Sequence, residues 1–179
     1  MSHEPGAESV EEIVRALSLA PHPEGGFYRE TYRAPLVLVH DAIRETHGGP
    51  RAASTAIHFL VPRGSFSALH RIASDEVWHF YRGAPLEVVE IAPSGALRTT
   101  RLGNRLSQGE VPQHVVPRGA WFGSRLARDT EARGDHALVG CTVAPGFDFA
   151  DFELATRAEL TARFPAHAAL IASLTREAP

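Results

Sequence analysis

The chain has 179 residues, of which 44% are hydrophobic and 22% are charged, the composition of an ordinary globular protein. Its net charge of −3 gives no field that would attract nucleic acid or an anionic membrane, so neither partner is expected. The single cysteine, Cys141, excludes an internal disulfide, and no apolar run indicates a membrane span or a signal peptide, so we expect a cytoplasmic protein.

A short helix is predicted after a polar N-terminal stretch. We expect residues 1–8 to be disordered and residues 9–175 to form a single domain. Ser9 and Glu12 have the spacing of a capping box. Apolar residues follow at helical spacing, at Val10, Ile13, Val14 and Leu17. The helix should end before Pro21.

Short strands separated by turns are predicted through the middle of the chain. Turn signals recur roughly every eight to twelve residues, which is typical of an all-β sandwich or barrel. The polar, glycine-rich residues 40–53 are predicted to form a long surface loop, and Pro93-Ser94-Gly95 to close a hairpin. The predicted strands cover residues 27–33, 54–61, 77–81, 86–91, 97–102, 115–116, 120–126 and 136–143.

Helical periodicity returns near the C-terminus. Thr156 and Glu159 form a second predicted capping box, followed by Leu160 and Phe164. A further helix is predicted after Pro165. The sequence therefore predicts an all-β protein with short N- and C-terminal helices packed outside a β-core.

Metal-capable and acid–base side chains are concentrated in residues 70–81. Two strands with a short connection would place His70 and Glu76 on one inner face. Imidazole and carboxylate together suit a divalent transition metal. They also suit proton transfer, because a partly buried Glu beside a His can have a pKa near neutrality. The alternatives without function are a buried structural histidine and an ion pair of Glu76 with Arg71 or Arg82.

Two segments carry a resemblance to the cupin superfamily. The run Gly64-x5-His70-x-Ile72-x3-Glu76-x6-Gly83 resembles the first cupin motif, which has Gly, His-x-His, Glu and Gly at these spacings. The run from Gly109 to Phe122 resembles a diverged second motif, whose core is Pro-x-Gly-x-x-His. With blocks at 23–33 and 138–155, the chain is similar to a branch of short uncharacterised single-domain cupins. The resemblance implies a double-stranded β-helix, the cupin jelly roll, and a homodimer.

A complete cupin metal site has three His and one Glu, and the resemblance transfers only two of them. His70 and Glu76 stand at ligand positions, whereas Ile72 and Phe122 stand where the other two histidines belong. His79 and His114 are the candidates for a third ligand. Because catalytic metals usually have three protein ligands, a metal-independent pocket is favoured. A divalent transition metal on His70 and Glu76 is the alternative.

Further site residues are predicted around this pair. His79 or Tyr81 is the candidate acid that returns a proton, although strand alternation places both opposite Glu76 unless the strand bends. Trp121 or Phe122 is expected to line the pocket and to contact an apolar ring of the ligand. The remaining candidate ligand-binding residues are Tyr28, Glu30 and His58.

Three functions are consistent with this sequence. The first is a metal-independent isomerase or epimerase acting on a sugar-like or carbonyl metabolite. The second is a metal-dependent cupin oxygenase or lyase. The third is a cupin that binds a small ligand without catalysis. The sequence names no substrate, and fold alone does not imply one.

Overall fold

The computed structural model describes residues 8–128 and 133–176. Most of the segment predicted to be disordered, residues 1–8, lies outside the described residues, and Glu8 at its end pairs with Arg82. The strands are β1 Ala20–Pro21, β2 Phe27–Arg33, β3 Val37–Leu38, β4 Arg51–Ala52, β5 Thr55–Pro62, β6 Phe66–Arg71, β7 Asp75–Gly83, β8 Leu86–Ile91, β9 Leu97–Leu102, β10 Gln113–Val116, β11 Trp121–Leu126, β12 His136–Ala144 and β13 Glu153–Leu154. The α-helices are α1 Val10–Ala16, α2 Asp41–His47, α3 Arg157–Arg163 and α4 Ala168–Ser173.

Two antiparallel sheets form the sandwich. One has the strand order β1-β2-β5-β12-β7-β10, and the other has the order β13-β6-β11-β8-β9. Neighbours in each sheet are often distant in the chain, as a jelly roll requires. The prediction of an all-β jelly roll with short helices at both ends is confirmed.

The main core lies between the sheets and follows the two-residue alternation of the strands. On β7, Glu76, Trp78 and Phe80 point inward, whereas their neighbours are more exposed. Trp78 packs edge-on against Phe59 of β5 and against Phe122 of β11. Inward aromatic rings therefore close one part of the interior and leave the space beside Glu76 open.

The helices cover the outer faces of the sheets. Ser9 and Glu12 form the predicted capping box of α1, and Ile13 packs onto Leu60 and Leu138 of the larger sheet. Helices α3 and α4 cover the smaller sheet. The helices and the sheet bury one apolar cluster between them, formed by Leu69, Val89, Ile91, Trp121, Leu160, Phe164, Ile171 and Leu174.

Two predictions of local structure were wrong. Residues 40–53 do not form a plain loop, because α2 and β4 lie within them. The His40 side chain accepts the Ala42 amide at the start of α2, and Gly48 ends the helix with a φ of 70°. At α3, the Thr156 hydroxyl donates to the Glu159 carboxylate rather than capping the backbone, so the second capping box is absent.

No helix within residues 8–128 and 133–176 has the length and apolar character needed to span a membrane.

Candidate functional site

A cavity of about 430 Å³ opens inside the sandwich. Strands β2, β5, β6, β7 and β12 contribute to its wall, together with residues 22–24 and 147–149. His70 and Glu76 both line it, as the sequence predicted. The other charged or ionisable groups of its wall are His22, Glu24, Tyr28, Glu30, Arg33, Cys141 and Asp148.

Glu76 is buried without the ion pairs that would make it structural. Glu76 is only 8% exposed. Arg71 pairs with Glu153, and Arg82 pairs with Glu8. Neither arginine therefore neutralises Glu76. A buried carboxyl without such a partner prefers the neutral form, because the charge loses hydration.

His70 is held in one tautomer by the backbone. Its Nδ1 lies 2.7 Å from the carbonyl oxygen of Ala68. A carbonyl oxygen only accepts, so Nδ1 carries the hydrogen and donates it. In the neutral ring, the lone pair is therefore on Nε2, which faces Glu24 at 3.1 Å. Burial lowers the pKa of His70, which favours this neutral ring.

Glu24 and His70 form a pair that shares one proton. Oε2 of Glu24 and Nε2 of His70 would repel each other if both lacked a hydrogen, so a proton lies on one of the two atoms. Burial raises the pKa of Glu24 to about 7. The other carboxyl oxygen accepts the hydroxyl of Ser67 at 2.9 Å. We refer to Glu24 and His70 as the one-proton pair.

A tight glycine turn brings Glu24 into the cavity. Gly25 and Gly26 have φ values of 111° and 70°, a region that favours glycine. A Cβ at Gly26 would lie 2.6 Å from the carbonyl oxygen of Leu60. From the far end of the chain, Arg176 donates to the carbonyl oxygen of Glu24 at 2.6 Å. The turn and this long-range contact together fix the backbone that carries the carboxyl.

Glu76 is the second acid of the cavity and is distinct from the one-proton pair. Burial raises its pKa to about 7, the charge of His70 lowers it, and the charge of Glu24 raises it. Its side chain is hydrogen bonded to the Cys141 thiol. Burial raises the pKa of that thiol well above its usual value, so Cys141 is a neutral donor rather than a nucleophile.

His22 joins this cluster from the loop between β1 and β2. Its Nδ1 accepts the amide of Glu24 at 3.2 Å, which places the hydrogen of the neutral ring on Nε2. Burial lowers its pKa. Its ring contacts Tyr28 edge-on, with centroids 4.5 Å apart, and stacks on Phe149 at 6.1 Å. His22 thus supports Glu24 on one side and an aromatic wall on the other.

The mouth of the cavity is exposed and charged. Arg33 donates to Glu30 through two bonds of 3.0 and 2.7 Å and to the carbonyl oxygen of Phe147 at 3.1 Å. Asp148 and the half-exposed ring of Phe149 complete the rim. Tyr28 and Glu30, predicted as ligand-binding residues, therefore both lie on the cavity wall.

The structure does not bring His79, Tyr81 or His58 to the cavity. All three lie on the outer face of the larger sheet, where Tyr81 is 47% exposed and contacts the ring of His58. His79 bonds to Thr142 and Gln113. The ladder between β7 and β12 is irregular only opposite Tyr81, too late in the strand to turn His79 inward. These positions correct the prediction that all three residues lie in the pocket.

Trp121 and Phe122 separate onto the two faces of β11. Trp121 points away from the cavity and packs beneath α3 and α4. The guanidinium carbon of Arg71 lies over its ring, 4.7 Å from the ring centroid. Trp121, predicted as a residue that lines the pocket, is therefore not part of the cavity wall. Phe122 is buried against the ring of His70, with centroids 4.1 Å apart, and supports that ring without being part of the cavity wall.

The residues present do not fit a tightly held metal. Within the described chain, no three His, Cys, Asp or Glu side chains are grouped to hold a metal ion. Ile72 and Phe122, at the two substituted ligand positions, are buried in the apolar core. The two candidate third ligands lie elsewhere, because His79 faces outward and His114 bonds to Glu90 at 3.2 Å. Nε2 of His70 is already engaged by Glu24.

Glu24 and His22 are the site residues that sequence reasoning missed. Both precede β2, in or beside the block at 23–33 that carries part of the cupin resemblance. An acid flanked by proline and two glycines was a usable signal, because glycines allow a backbone to turn sharply and approach a site. From this block, only Tyr28 and Glu30 were predicted as ligand-binding residues.

Comparison with known proteins gives matches along most of the chain. The pattern of the family described as Cupin superfamily (DUF985) matches residues 11–155. Uncharacterized protein YML079W of Saccharomyces cerevisiae is 29% identical over 149 residues, which are 80% of this chain and 73% of that protein.

Solved structures are also similar to this chain over most of its length. Protein SO0799 from Shewanella oneidensis has a TM-score of 0.83 and 37% identity, covering 96% of this chain and 99% of that one. A hypothetical protein from Leishmania major has a TM-score of 0.85 and 38% identity, covering 95% and 100%. Oxalate decarboxylase from Bacillus subtilis has a TM-score of 0.50 at 12% identity, covering 89% and 39%, and so shares the fold alone.

Proposed function

The chain belongs to the cupin superfamily, in the family described as DUF985, and from that premise we propose that it is a metal-independent isomerase or epimerase of a small carbonyl metabolite. One observation carries the proposal: a one-proton pair, Glu24 with His70, shares a cavity with a second buried carboxyl, Glu76. Proton transfer at carbon needs a base and an acid with pKa values near the working pH. Both carboxyls have a pKa of about 7.

Glu76 is the base in this mechanism. Its ionised carboxylate removes a proton from the carbon next to the substrate carbonyl. The electron pair of that C–H bond forms a carbon–carbon double bond, and the π electron pair of the carbonyl moves onto oxygen, which gives an enolate. An apolar wall favours this step, because a poorly hydrated carboxylate is a stronger base than one in water. The Cys141 thiol, which is hydrogen bonded to Glu76, orients the carboxylate.

The one-proton pair is the acid. It returns a proton to carbon when the carbonyl re-forms, which gives the epimer, or to the enolate oxygen, which begins isomerisation. Because Nδ1 of His70 is bound to a backbone carbonyl, the transferable proton lies between Nε2 and the Glu24 carboxyl. Glu76 ends the cycle protonated and the pair deprotonated, and exchange with water restores both.

Exchange of carbon-bound hydrogen with solvent tests the proposal. Hydroxyacetone and dihydroxyacetone are incubated with the protein in deuterium oxide, and loss of the C–H signals is followed by proton NMR. We expect protein-dependent exchange that Glu76→Gln reduces at least about a hundredfold, the usual contribution of a general base. Tyr81→Phe, on the outer face of the same strand, should retain the wild-type rate.

Two results would contradict the proposal. Equal exchange in the wild type and in Glu76→Gln would remove Glu76 from the chemistry. Binding of either ketone without any exchange would leave a cupin that binds a small ligand and catalyses nothing.

A further inference from the structure

The ionisable groups that line the cavity include more acids than permanent cations. Its wall has four carboxyl groups, from Glu24, Glu30, Glu76 and Asp148, but one guanidinium, from Arg33. A cleft lined mainly by one sign of charge attracts ligands of the other sign. The wall therefore disfavours anions such as dicarboxylates.

The guanidinium is already neutralised within the protein. Glu30 accepts two of its hydrogen bonds, and the carbonyl oxygen of Phe147 accepts a third. A ligand carboxylate would have to displace Glu30 to gain an equivalent contact. Arg33 thus fixes the rim, and Asp148 adds a carboxylate beyond the Arg33–Glu30 pair.

The inner end of the cavity also favours positive charge. The one-proton pair is neutral as a unit, since a single proton compensates the Glu24 charge. Glu76 is then the remaining acid, and neither Arg71 nor Arg82 is paired with it. A ligand cation beside Glu76 would restore the electrostatic compensation that burial removed.

Aromatic rings line the same cavity as Glu76 and Asp148. Tyr28, Phe59, Phe147 and Phe149 all line the cavity, and Phe147 meets Phe149 edge-on with centroids 5.0 Å apart. Phe149 is 50% exposed at the mouth, so a large apolar ring remains available to a ligand. Aromatic faces attract organic cations, and a wall of several rings with nearby carboxylates is the usual receptor for an ammonium group.

We infer that the ligand of this cavity is an organic ammonium compound with a flat or apolar portion, and that the substrate is an amino-carbonyl compound of this class. The ammonium group contacts the carboxylates, and the apolar portion packs on Tyr28 and Phe149. The choice of substrate rests on the proposed function, whereas the preference for a cation rests on the cavity wall alone.

Three probes of the same shape and different charge test the cation preference. Benzylamine, benzyl alcohol and benzoate are titrated into the protein near neutral pH, and their affinities are measured by calorimetry. We expect benzylamine to bind in the millimolar range or tighter, at least about tenfold tighter than benzyl alcohol, with benzoate the weakest. Benzoate binding as tightly as benzylamine, or no benzylamine binding at millimolar concentration, would overturn the inference.

Two variants assign the preference to the rim. Asp148→Asn keeps an oxygen for the Ala150 amide, which the native side chain accepts at 2.9 Å, and removes only the charge. It should weaken benzylamine about threefold and leave benzyl alcohol unchanged. Asp41→Asn removes the same charge from α2, outside the cavity, and should change neither affinity. Equal effects of the two variants on benzylamine would contradict a contact at Asp148.

A matched substrate pair separates this inference from the proposed function. Aminoacetone and hydroxyacetone have the same carbon skeleton, and their protein-dependent exchange is compared after subtraction of the buffer rate. Preferred binding of benzylamine with no exchange of either ketone would retain the ligand class and reject the enzyme. Exchange of hydroxyacetone with tightest binding of benzoate would retain the enzyme and reject the ligand class.

Discussion

Replacing Glu76 with glutamine should make the protein relatively more stable as the pH rises. An unfolded chain ionises this carboxyl near its ordinary pKa of 4.5, whereas burial raises the pKa of the folded group to about 7. Between these values the folded state binds more protons than the unfolded state, so wild-type stability falls with increasing pH. The favourable contribution is complete below the unfolded pKa and is lost as the pH passes the folded pKa.

The size of the effect follows from the two pKa values. Each tenfold change in proton affinity corresponds to about 1.4 kcal/mol, so a rise from 4.5 to about 7 corresponds to about 3 kcal/mol. Glutamine cannot ionise, so the variant does not lose this stability as the pH rises. The unfolding free energy of Glu76→Gln minus that of the wild type should therefore increase by about 3 kcal/mol between about pH 4.5 and pH 8. The lowered pKa of His70 has the opposite sign, but it acts in both proteins and largely cancels in the difference.

Urea unfolding at several pH values measures this difference. Trp78 and Trp121 are both buried, so their fluorescence reports the transition. Glu11→Gln, which removes an exposed carboxyl of α1 outside the cavity, is the control for loss of a charge as such. A flat or falling difference for Glu76→Gln would refute the reasoning, because it would mean that the buried carboxyl is not neutral in the folded protein.

Three further predictions concern other parts of the interior. The Cys141 thiol, buried and with a raised pKa, should not react with a disulfide reagent in the folded protein and should react fully in guanidinium chloride; rapid reaction of the native protein would contradict its placement. Combining Ile72→His with Phe122→His should raise zinc affinity at least about tenfold in equilibrium dialysis, and unchanged affinity would show that the two cupin motifs are out of register. Gly83→Ala should cost at least about 1 kcal/mol in thermal unfolding, because Gly83 has a φ of 98° and an added Cβ would meet a backbone carbonyl. Gly64→Ala, with a φ of 81° but open space, is its control and should cost less.

The sequence was sufficient for the fold because local patterns and motif spacing agreed. Turn residues and strand propensity indicated an all-β sandwich or barrel, and the resemblance of the Gly64–Gly83 spacing to a cupin motif implied the jelly roll. Alternation on β7 correctly predicted that Trp78 and Phe80 share the inner face with Glu76. The same alternation placed His79 outward. His79 was predicted as a site residue only on the condition that the strand bends before it. The irregularity of β7 instead follows His79, opposite Tyr81.

The two glycines after Glu24 are a local signal of a sharp turn, but they do not show that the turn brings Glu24 to His70. Glu24 reaches the cavity because Gly25 and Gly26 turn the backbone through positive φ values, which a single sequence does not reveal. Its support from Arg176 joins residues 152 positions apart. Likewise, helix α2 was predicted as part of a loop because its seven residues have little helical periodicity. Contacts around the helix, including the buried Arg51–Asp151 ion pair, come from distant parts of the chain.

The contact of Arg176 with Glu24 has a consequence for how the protein is made. The same guanidinium donates to the carbonyl oxygen of Phe66 at 3.2 Å, and the amide of Leu69 donates to the carbonyl oxygen of Leu174. Residues 174 and 176 therefore hold both the strand that carries His70 and the turn that carries Glu24. During vectorial synthesis, the nascent polypeptide gains these restraints only after residues 174 and 176 leave the ribosome.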